Sequence, residues 1–439
     1  MKIKNLLIVA LMIWSSAIAQ NDSVAGNSIS EAEKITQLED KLKGLEESYL
    51  ETKGDVNKLK KIKVSGYVQA QLRVATDTSG IGKGKYKIGK FQGGDLASDS
   101  RSVLQIRRGR IKVAYENSYS QMAVQLDCIP KGVSIKDAYM RFSAPWLYGF
   151  GIKAGVYDRP FGFEISYSSS SRESPERSRM FQTLFPGERD MGASIEYIPN
   201  DNLPSWAQLF NLKLGRFAGN GINDEFDDIR DWIGRFGLSI PLNSINMAID
   251  AGFSGYAGAI RSLNDTLKEM SDTLWVSRLG KKNKEIDRQY FGGDMQIYYG
   301  NIPVLGGMSL RGEVIGGQQP GRASSNESPK SSAADASMIY VRNFIGFYTM
   351  AVLNIDPLKC QLVGKYDFFD PNIEIEKTGV KSLADASFKT LGLGLVYHWD
   401  ENVKIMAYFD KITNEEIGID PYKKDINDNV FTLRIQYKF

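Results

Sequence analysis

Along residues 429–439, Asn-Val-Phe-Thr-Leu-Arg-Ile-Gln-Tyr-Lys-Phe, apolar and polar positions alternate without a break. Phe431, Leu433, Ile435, Tyr437 and Phe439 share one parity, while Thr432, Arg434, Gln436 and Lys438 share the other. A period of two marks a strand with one apolar and one polar face. Two settings accommodate it. One is a half-buried strand of a soluble sandwich; the other is the closing strand of a membrane barrel, with odd positions toward lipid and even positions toward a polar lumen.

The alternation starts at Ile62 and predicts sixteen strands, at about 62–76, 102–116, 118–127, 134–143, 149–157, 191–198, 206–217, 229–240, 244–256, 288–300, 305–316, 340–353, 358–369, 385–398, 402–411 and 429–439. Connections after even-numbered strands are short, as at Asn117, Pro241–Asn243, Asn354–Pro357 and Trp399–Glu401. Those after odd-numbered strands are mostly long and polar, as at 77–101, 158–190, 257–287, 317–339, 370–384 and 412–428. A sandwich has no reason to segregate its turns this way, whereas outer-membrane barrels have even strand numbers, short periplasmic turns and longer extracellular loops. Closure also satisfies every backbone group in lipid. The lipid parity is clear at Val403, Ile405, Ala407 and Phe409 and at Phe236, Leu238 and Ile240, and mixed at 340–353. Trp146, Tyr148, Tyr397 and Trp399 recur at one end as an interfacial girdle would.

The first sixty residues obey other periods. Residues 1–19 carry Lys2 and Lys4, an apolar run from Leu6 to Trp14 and the small exit Ala17-Ile18-Ala19, which reads as a signal peptide. Ile35, Leu38, Leu42, Leu45, Tyr49, Thr52, Val56 and Leu59 then follow a 3-4 heptad spacing, predicting a coiled-coil stalk over 20–61 ahead of the barrel at 62–439. Gly44 and Gly54 weaken that helix by about 1 kcal/mol each against alanine. The seam implies an oligomer, with a cell-wall or periplasmic partner for the stalk.

Composition narrows the function. Of 55 basic residues the leader removes two, leaving +1 against 52 acidic ones, so net charge points to no partner. Cys128 and Cys360 form no disulfide framework. The single histidine, His398, falls at a strand end beside Trp399, and no metal-ligand spacing or phosphate-cradling glycine loop is present, so neither an enzyme nor a cofactor is expected.

Function is therefore expected on the inner wall. The parity opposite the lipid face carries Arg73, Arg108, Arg110, Lys112, Arg141, Lys153, Lys213, Arg235, Arg311, Lys359, Lys365, Lys404, Arg434 and Lys438, against Asp127, Asp137, Asp231, Asp294, Glu313, Asp367 and Asp410. Rings of Arg and Lys favour anions. Leu104 and Ile106 lie on one parity and Ile111, Val113 and Tyr115 on the other, so a bulge near Gly109 is expected to aim both Arg107 and Arg108 inward. A nucleic-acid patch is the competing use of such a run, and a transmembrane strand sets it aside. The 158–190 connection mixes aromatics with Arg159, Arg172, Arg177, Arg179 and Arg189, and with Glu164, Glu173, Glu176, Glu188 and Asp190. A loop of that length is commonly functional. Folded into the lumen it narrows the pore; the alternative is an extracellular lid.

Arg107-Arg108-Gly109-Arg110-Ile111 on an early strand, followed by Lys153-Ala-Gly-Val-Tyr-Asp-Arg-Pro-Phe-Gly-Phe-Glu164 leading into a long loop, resembles the phosphate-selective porin O and P family over 62–439. The stalk is similar to porins of Bacteroidetes-type bacteria. The resemblance implies a homotrimeric, sixteen-stranded outer-membrane porin whose third loop folds inward, with an arginine ladder leading small anions to a basic constriction. Arg107 and Arg108 match that family's paired arginines. Its expected surroundings are outer-membrane lipid and, through the last strand, the barrel-assembly machinery. The other reading is a tether in which the stalk is the purpose and the barrel an anchor.

Overall fold

A computed structural model describes residues 31–75, 91, 100–143, 146, 148–199, 201, 203–223, 228–271, 274–279, 285–328, 338–375, 381–426 and 428–439. The leader predicted at 1–19 lies outside the described residues. The chain divides into two units, at residues 1–60 and 61–439. Within the first, α1 runs over Glu31–Leu59. Its heptad positions Ile35, Leu38, Leu42, Leu45, Tyr49, Val56 and Leu59 are all exposed, so the seam is unpartnered in the single chain.

The second unit is an antiparallel β-barrel. Its elements in chain order are β1 (Ile62–Ala75), β2 (Ser102–Glu116), β3 (Ser120–Ile129), β4 (Gly132–Ser143), β5 (Phe150–Asp158), α2 (Arg179–Leu184), β6 (Arg189–Tyr197), α3 (Ser205–Gln208), β7 (Phe210–Phe217), β8 (Asp231–Leu242), β9 (Met247–Arg261), β10 (Thr266–Ser271), β11 (Leu274–Leu279), β12 (Glu285–Ile302), β13 (Gly306–Gly321), β14 (Ile339–Ile355), β15 (Cys360–Asp370), β16 (Phe388–His398), β17 (Val403–Asn414) and β18 (Val430–Lys438). Each wall strand pairs with the next, β9 passes directly to β12, and β18 returns to β1 with Ala70 opposite Ile435 and Gln71 opposite Arg434. The wall therefore closes with sixteen strands. Antiparallel pairing to both sides leaves no open backbone edge, which is what lipid demands.

Three findings depart from the sequence reading. The connection over 257–287 contains the hairpin β10–β11, because Leu267 is buried with Ile260, Ile286 and Val341 while Trp275 meets Tyr340 edge-on at 4.9 Å. Lys359, expected on the lumen wall, is exposed in the turn after β14, with φ of 52°. Lys438 has the inward parity but sits at the rim and is exposed.

Burial follows parity along the wall. On β18, Thr432, Arg434 and Gln436 are buried while Phe431, Leu433, Ile435 and Tyr437 face outward and are exposed. On β14 both faces are apolar: Ile345 and Phe347 point out, and Phe344, Tyr348, Met350 and Val352 point in. That explains the mixed parity over 340–353. The inward set meets a second hydrophobic surface, formed by residues 159–188 folded inside the barrel, where Phe161, Ile165, Met180, Phe181, Leu184 and Phe185 are fully buried. Phe185 lies 5.0 Å from Phe161, 5.7 Å from Tyr290 and 5.9 Å from Tyr256 between ring centroids. Burying each such ring contributes roughly 1.5–3 kcal/mol.

Candidate functional site

The inner loop over 159–188 starts with a turn only glycine fits. Gly162 has φ of +62°, and a Cβ there would stand 2.3 Å from the Glu313 carboxylate. Glu313 on β13 accepts hydrogen bonds from the backbone N–H groups of Phe163 (2.7 Å) and Glu164 (2.6 Å) and from the Tyr348 hydroxyl (2.6 Å). The chain then crosses to the closing seam. Ser169 Oγ lies 2.6 Å from the Tyr67 hydroxyl, and Lys404 Nζ donates to the carbonyls of Ser170 (2.8 Å) and Arg172 (3.1 Å).

Three loop carboxylates next take up wall cations. Glu164 accepts from Lys365 at 2.7 Å, and Glu173 accepts from Arg311 at 2.9 and 3.1 Å. Glu176 binds three guanidinium groups: Arg107 at 2.9 and 3.0 Å, Arg108 at 2.7 Å and Arg434 at 3.0 Å. Burial alone raises the Glu176 pKa, but Arg107, Arg108 and Arg434 hold it well below the carboxylate range. Glu164 is likewise lowered against its burial, by Lys365 and Arg172.

Thirteen of the cations expected on the inner wall and in the inner loop thus divide into groups. Arg108, Arg311, Lys365 and Arg434 are buried in pairs with loop acids. Arg73 and Arg172 are each 1% exposed. Arg177 is turned into its own loop, donating to the carbonyls of Glu164 (2.8 Å) and Ile165 (2.9 Å) and pairing with Glu188. Arg179 stacks on Phe388 and Phe91, at 3.7 and 4.3 Å from the ring centroids. Arg110 approaches Asp127 at 3.4 Å. Arg107, Arg141, Lys153 and Arg235 remain partly exposed, and all stand on β2, β4, β5 or β8.

The inward residues of β13–β18 and β1 are covered by the loop, whereas Lys112, Tyr139, Arg141, Lys153, Lys213 and Arg235 keep partial access to solvent. The accessible interior therefore lies against β2–β8. Lys153 Nζ sits 4.3 and 4.2 Å from the Tyr139 and Tyr157 ring centroids, with Asp158 at 3.9 Å and Glu196 at 4.0 Å.

Two β-bulges shape this side. Gln69 pairs with Arg108 but Ala70 with Ile106, leaving Arg107 as the extra residue of β2. Gln125 pairs with Asp137 but Leu126 with Ile135, leaving Lys136 as the extra residue of β4. The first places Arg107 beside Arg108 on the inner side, two positions before Gly109. The second was missed, although its signal is the same parity reversal, from Val133 and Ile135 to Met140 and Phe142. Both cations open onto a cavity of about 230 Å³, also lined by Arg108, Arg110, Arg177, Asp127, Glu188 and Glu327. Five cations face three acids there. Among the described residues no cluster of His, Cys, Asp and Glu could hold a metal ion.

No family model matches the chain, and no curated protein matches it. Solved structures do. OprB of Pseudomonas putida superposes with a TM-score of 0.54 at 9% identity, covering 88% of this chain and 96% of that one. An anion-selective porin from Comamonas acidovorans gives 0.51 at 11% identity, over 86% and 99% of the two chains. The outer membrane channel DcaP of Acinetobacter baumannii gives 0.51 at 11% identity, over 86% and 97%. With its closed wall and apolar outer surface, the chain has the fold of the outer-membrane porins.

Proposed function

We propose that the protein is an outer-membrane porin through which small solutes diffuse passively, with a preference for small anions such as phosphate. The observation that carries this reading is the narrowed interior, in which the accessible side bears Arg107, Lys136, Arg141, Lys153 and Arg235 while the loop packs against β13–β15, β17, β18 and β1. Guanidinium groups are weakly hydrated and forked, so they replace part of an anion's water shell without holding it tightly. The motif resemblance to the phosphate-selective porin O and P family supports phosphate as the anion. The exposed seam of α1 supports a coiled-coil homotrimer.

The test is the zero-current potential across a planar bilayer in a salt gradient. The wild type is expected to favour anions. Arg107→Gln with Lys136→Gln removes two charges from the accessible wall. At about 1 kcal/mol per charge at 4 Å in water-like surroundings, the anion-to-cation permeability ratio falls several-fold. An unchanged potential sinks the anion reading; absence of any conductance sinks the porin reading.

A further inference from the structure

Among the described residues two cations of the inner loop, Arg172 and Arg179, make no ion pair, and of these Arg179, the first residue of α2, lines a cavity with aromatic walls. It is 7% exposed, and its Nε is buried without a hydrogen-bond partner. Among the described residues its guanidinium makes no ion pair and no hydrogen bond; only its backbone N–H is used, on Asp367 at 2.7 Å. What holds the side chain is aromatic: Phe388 on one side and Phe91 on the other. The sandwich fixes the plane of the fork and excludes water from its faces, leaving the donating edge unspent. Burial lowers the Arg179 pKa, opposed by Asp428, Asp367 and Tyr422 at longer range, so this charge carries a desolvation cost that no hydrogen bond offsets. Burial pushes Asp428 up, which weakens it as a countercharge.

The guanidinium lines a cavity of about 180 Å³ at the long-loop end of the barrel. One part of its wall is apolar, with Phe91, Phe369, Phe388, Leu383 and Tyr422, and the other polar, with Thr183, Ser324, Ser325 and Asn326. One further polar atom there is unspent, the buried Oδ1 of Asn326. An apolar cavity of about 150 Å³ accepts a benzene ring. The space therefore suits a ring or branched aliphatic body, with a fixed two-donor edge beside it.

We propose that this cavity binds a small organic carboxylate, one whose apolar body fills the aromatic chamber and whose carboxylate meets Arg179. A planar carboxylate matches the fork in a way a tetrahedral anion does not, and inorganic phosphate would leave the apolar chamber empty. Glu327 also lines the cavity and disfavours a second negative charge on the ligand. The inference depends on the fold and not on the channel reading, because binding is measurable without conduction.

The experiment is calorimetric titration of the detergent-purified full chain with benzoate, benzyl alcohol, benzylamine and inorganic phosphate. Benzoate is expected to bind once per chain, at least tenfold tighter than the other three. Arg179→Gln should cost benzoate tenfold or more and leave benzyl alcohol unchanged. Phe388→Leu, which keeps apolar volume but removes one stacking face, should cost benzoate several-fold. Benzoate binding no tighter than benzyl alcohol overturns the proposal, and that comparison needs only the wild type. Preferential binding of benzylamine overturns it by making Glu327 the recognising group, and preferential phosphate binding overturns it by making the chamber irrelevant. Full benzoate binding in a folded Arg179→Gln barrel overturns the assignment of the residue.

Discussion

Replacing Glu176 by Gln removes the one carboxylate that gathers three guanidinium groups. Glu176 accepts four charge-assisted hydrogen bonds at 2.7–3.0 Å from Arg107, Arg108 and Arg434. Glutamine keeps the shape but offers one acceptor and no charge. Breaking one partner of a buried ion pair costs roughly 3–5 kcal/mol. Arg107 is 29% exposed and keeps water after the loss, so the lower end of that range applies. The remaining anchors, Glu164 to Lys365 and Glu173 to Arg311, together with the buried rings, hold the rest of the loop. The loop should loosen around residues 173–178 without leaving the lumen.

Two readouts follow from that. Single-channel conductance should rise with more open-channel noise, and the zero-current potential should move further toward anions, because the local balance changes from three cations with one acid to three cations with none. At 4 Å one charge contributes between about 1 kcal/mol in water and about 4 kcal/mol at an effective dielectric of 20, so a several-fold change in permeability ratio is the minimum expected. Acid should reproduce the effect in the wild type, with a defined sign. The folded pKa of Glu176 is depressed, so its contribution is complete above the ordinary value of 4.5 and disappears only as pH falls below that through the folded pKa. Lowering pH from 7 to 5 should therefore leave this anchor intact. Unchanged conductance and potential in Glu176→Gln, or a shift toward cations, would refute the assignment of Glu176 as the clasp of the loop.

Two further outcomes test other parts of the structure. Phe185→Ala opens a cavity amid Phe161, Tyr256 and Tyr290 and should cost roughly 3–5 kcal/mol, read as a lower midpoint in denaturant unfolding. An unshifted midpoint would mean the loop core contributes nothing to the barrel. Gly66→Val places a Cβ 2.5 Å from the Arg110 carbonyl and 2.7 Å from the Phe439 ring at the closing seam, whereas a Cβ at Gly255 meets nothing within 4 Å. The first should lower the fraction of heat-modifiable folded barrel on gels and Gly255→Ala should not; equal yields would remove the seam as a critical step.

The wall of this fold was legible because parity is a local property. Each strand declares its lipid face through residues such as Leu391, Leu393 and Leu395, and a reversal of parity declares a bulge, as at Arg107. Lys136 carries the same mark, between Val133 and Ile135 on one side and Met140 and Phe142 on the other. What fills the lumen is a different kind of question. Parity shows that Arg108, Arg311, Lys365 and Arg434 point inward, but it cannot show that loop acids from 138 to 258 residues away in sequence reach them, except for the 68-residue step to Arg108. The basic excess counted on the wall was therefore in part a set of docking points. β14 shows the same limit from the other side: its two apolar faces read as an ambiguous strand because the inner one meets protein instead of water. Arg179 could not be distinguished from its neighbours by sequence, since Phe91 and Phe388 lie in remote segments.

The docking points also act mechanically. One loop is tied to β13, β15, β17, β18, β1 and β2, so it works as a set of spokes across an otherwise hollow hoop. A hoop of sixteen strands can ovalise at little cost to its ladders, while spokes of arginine and lysine length cannot stretch. The shape of the aperture is then set by the reach of a few side chains more than by the number of strands. Two barrels of equal strand number and unrelated loops need not share a bore, and a loop grafted from one to the other would arrive with spokes of the wrong length.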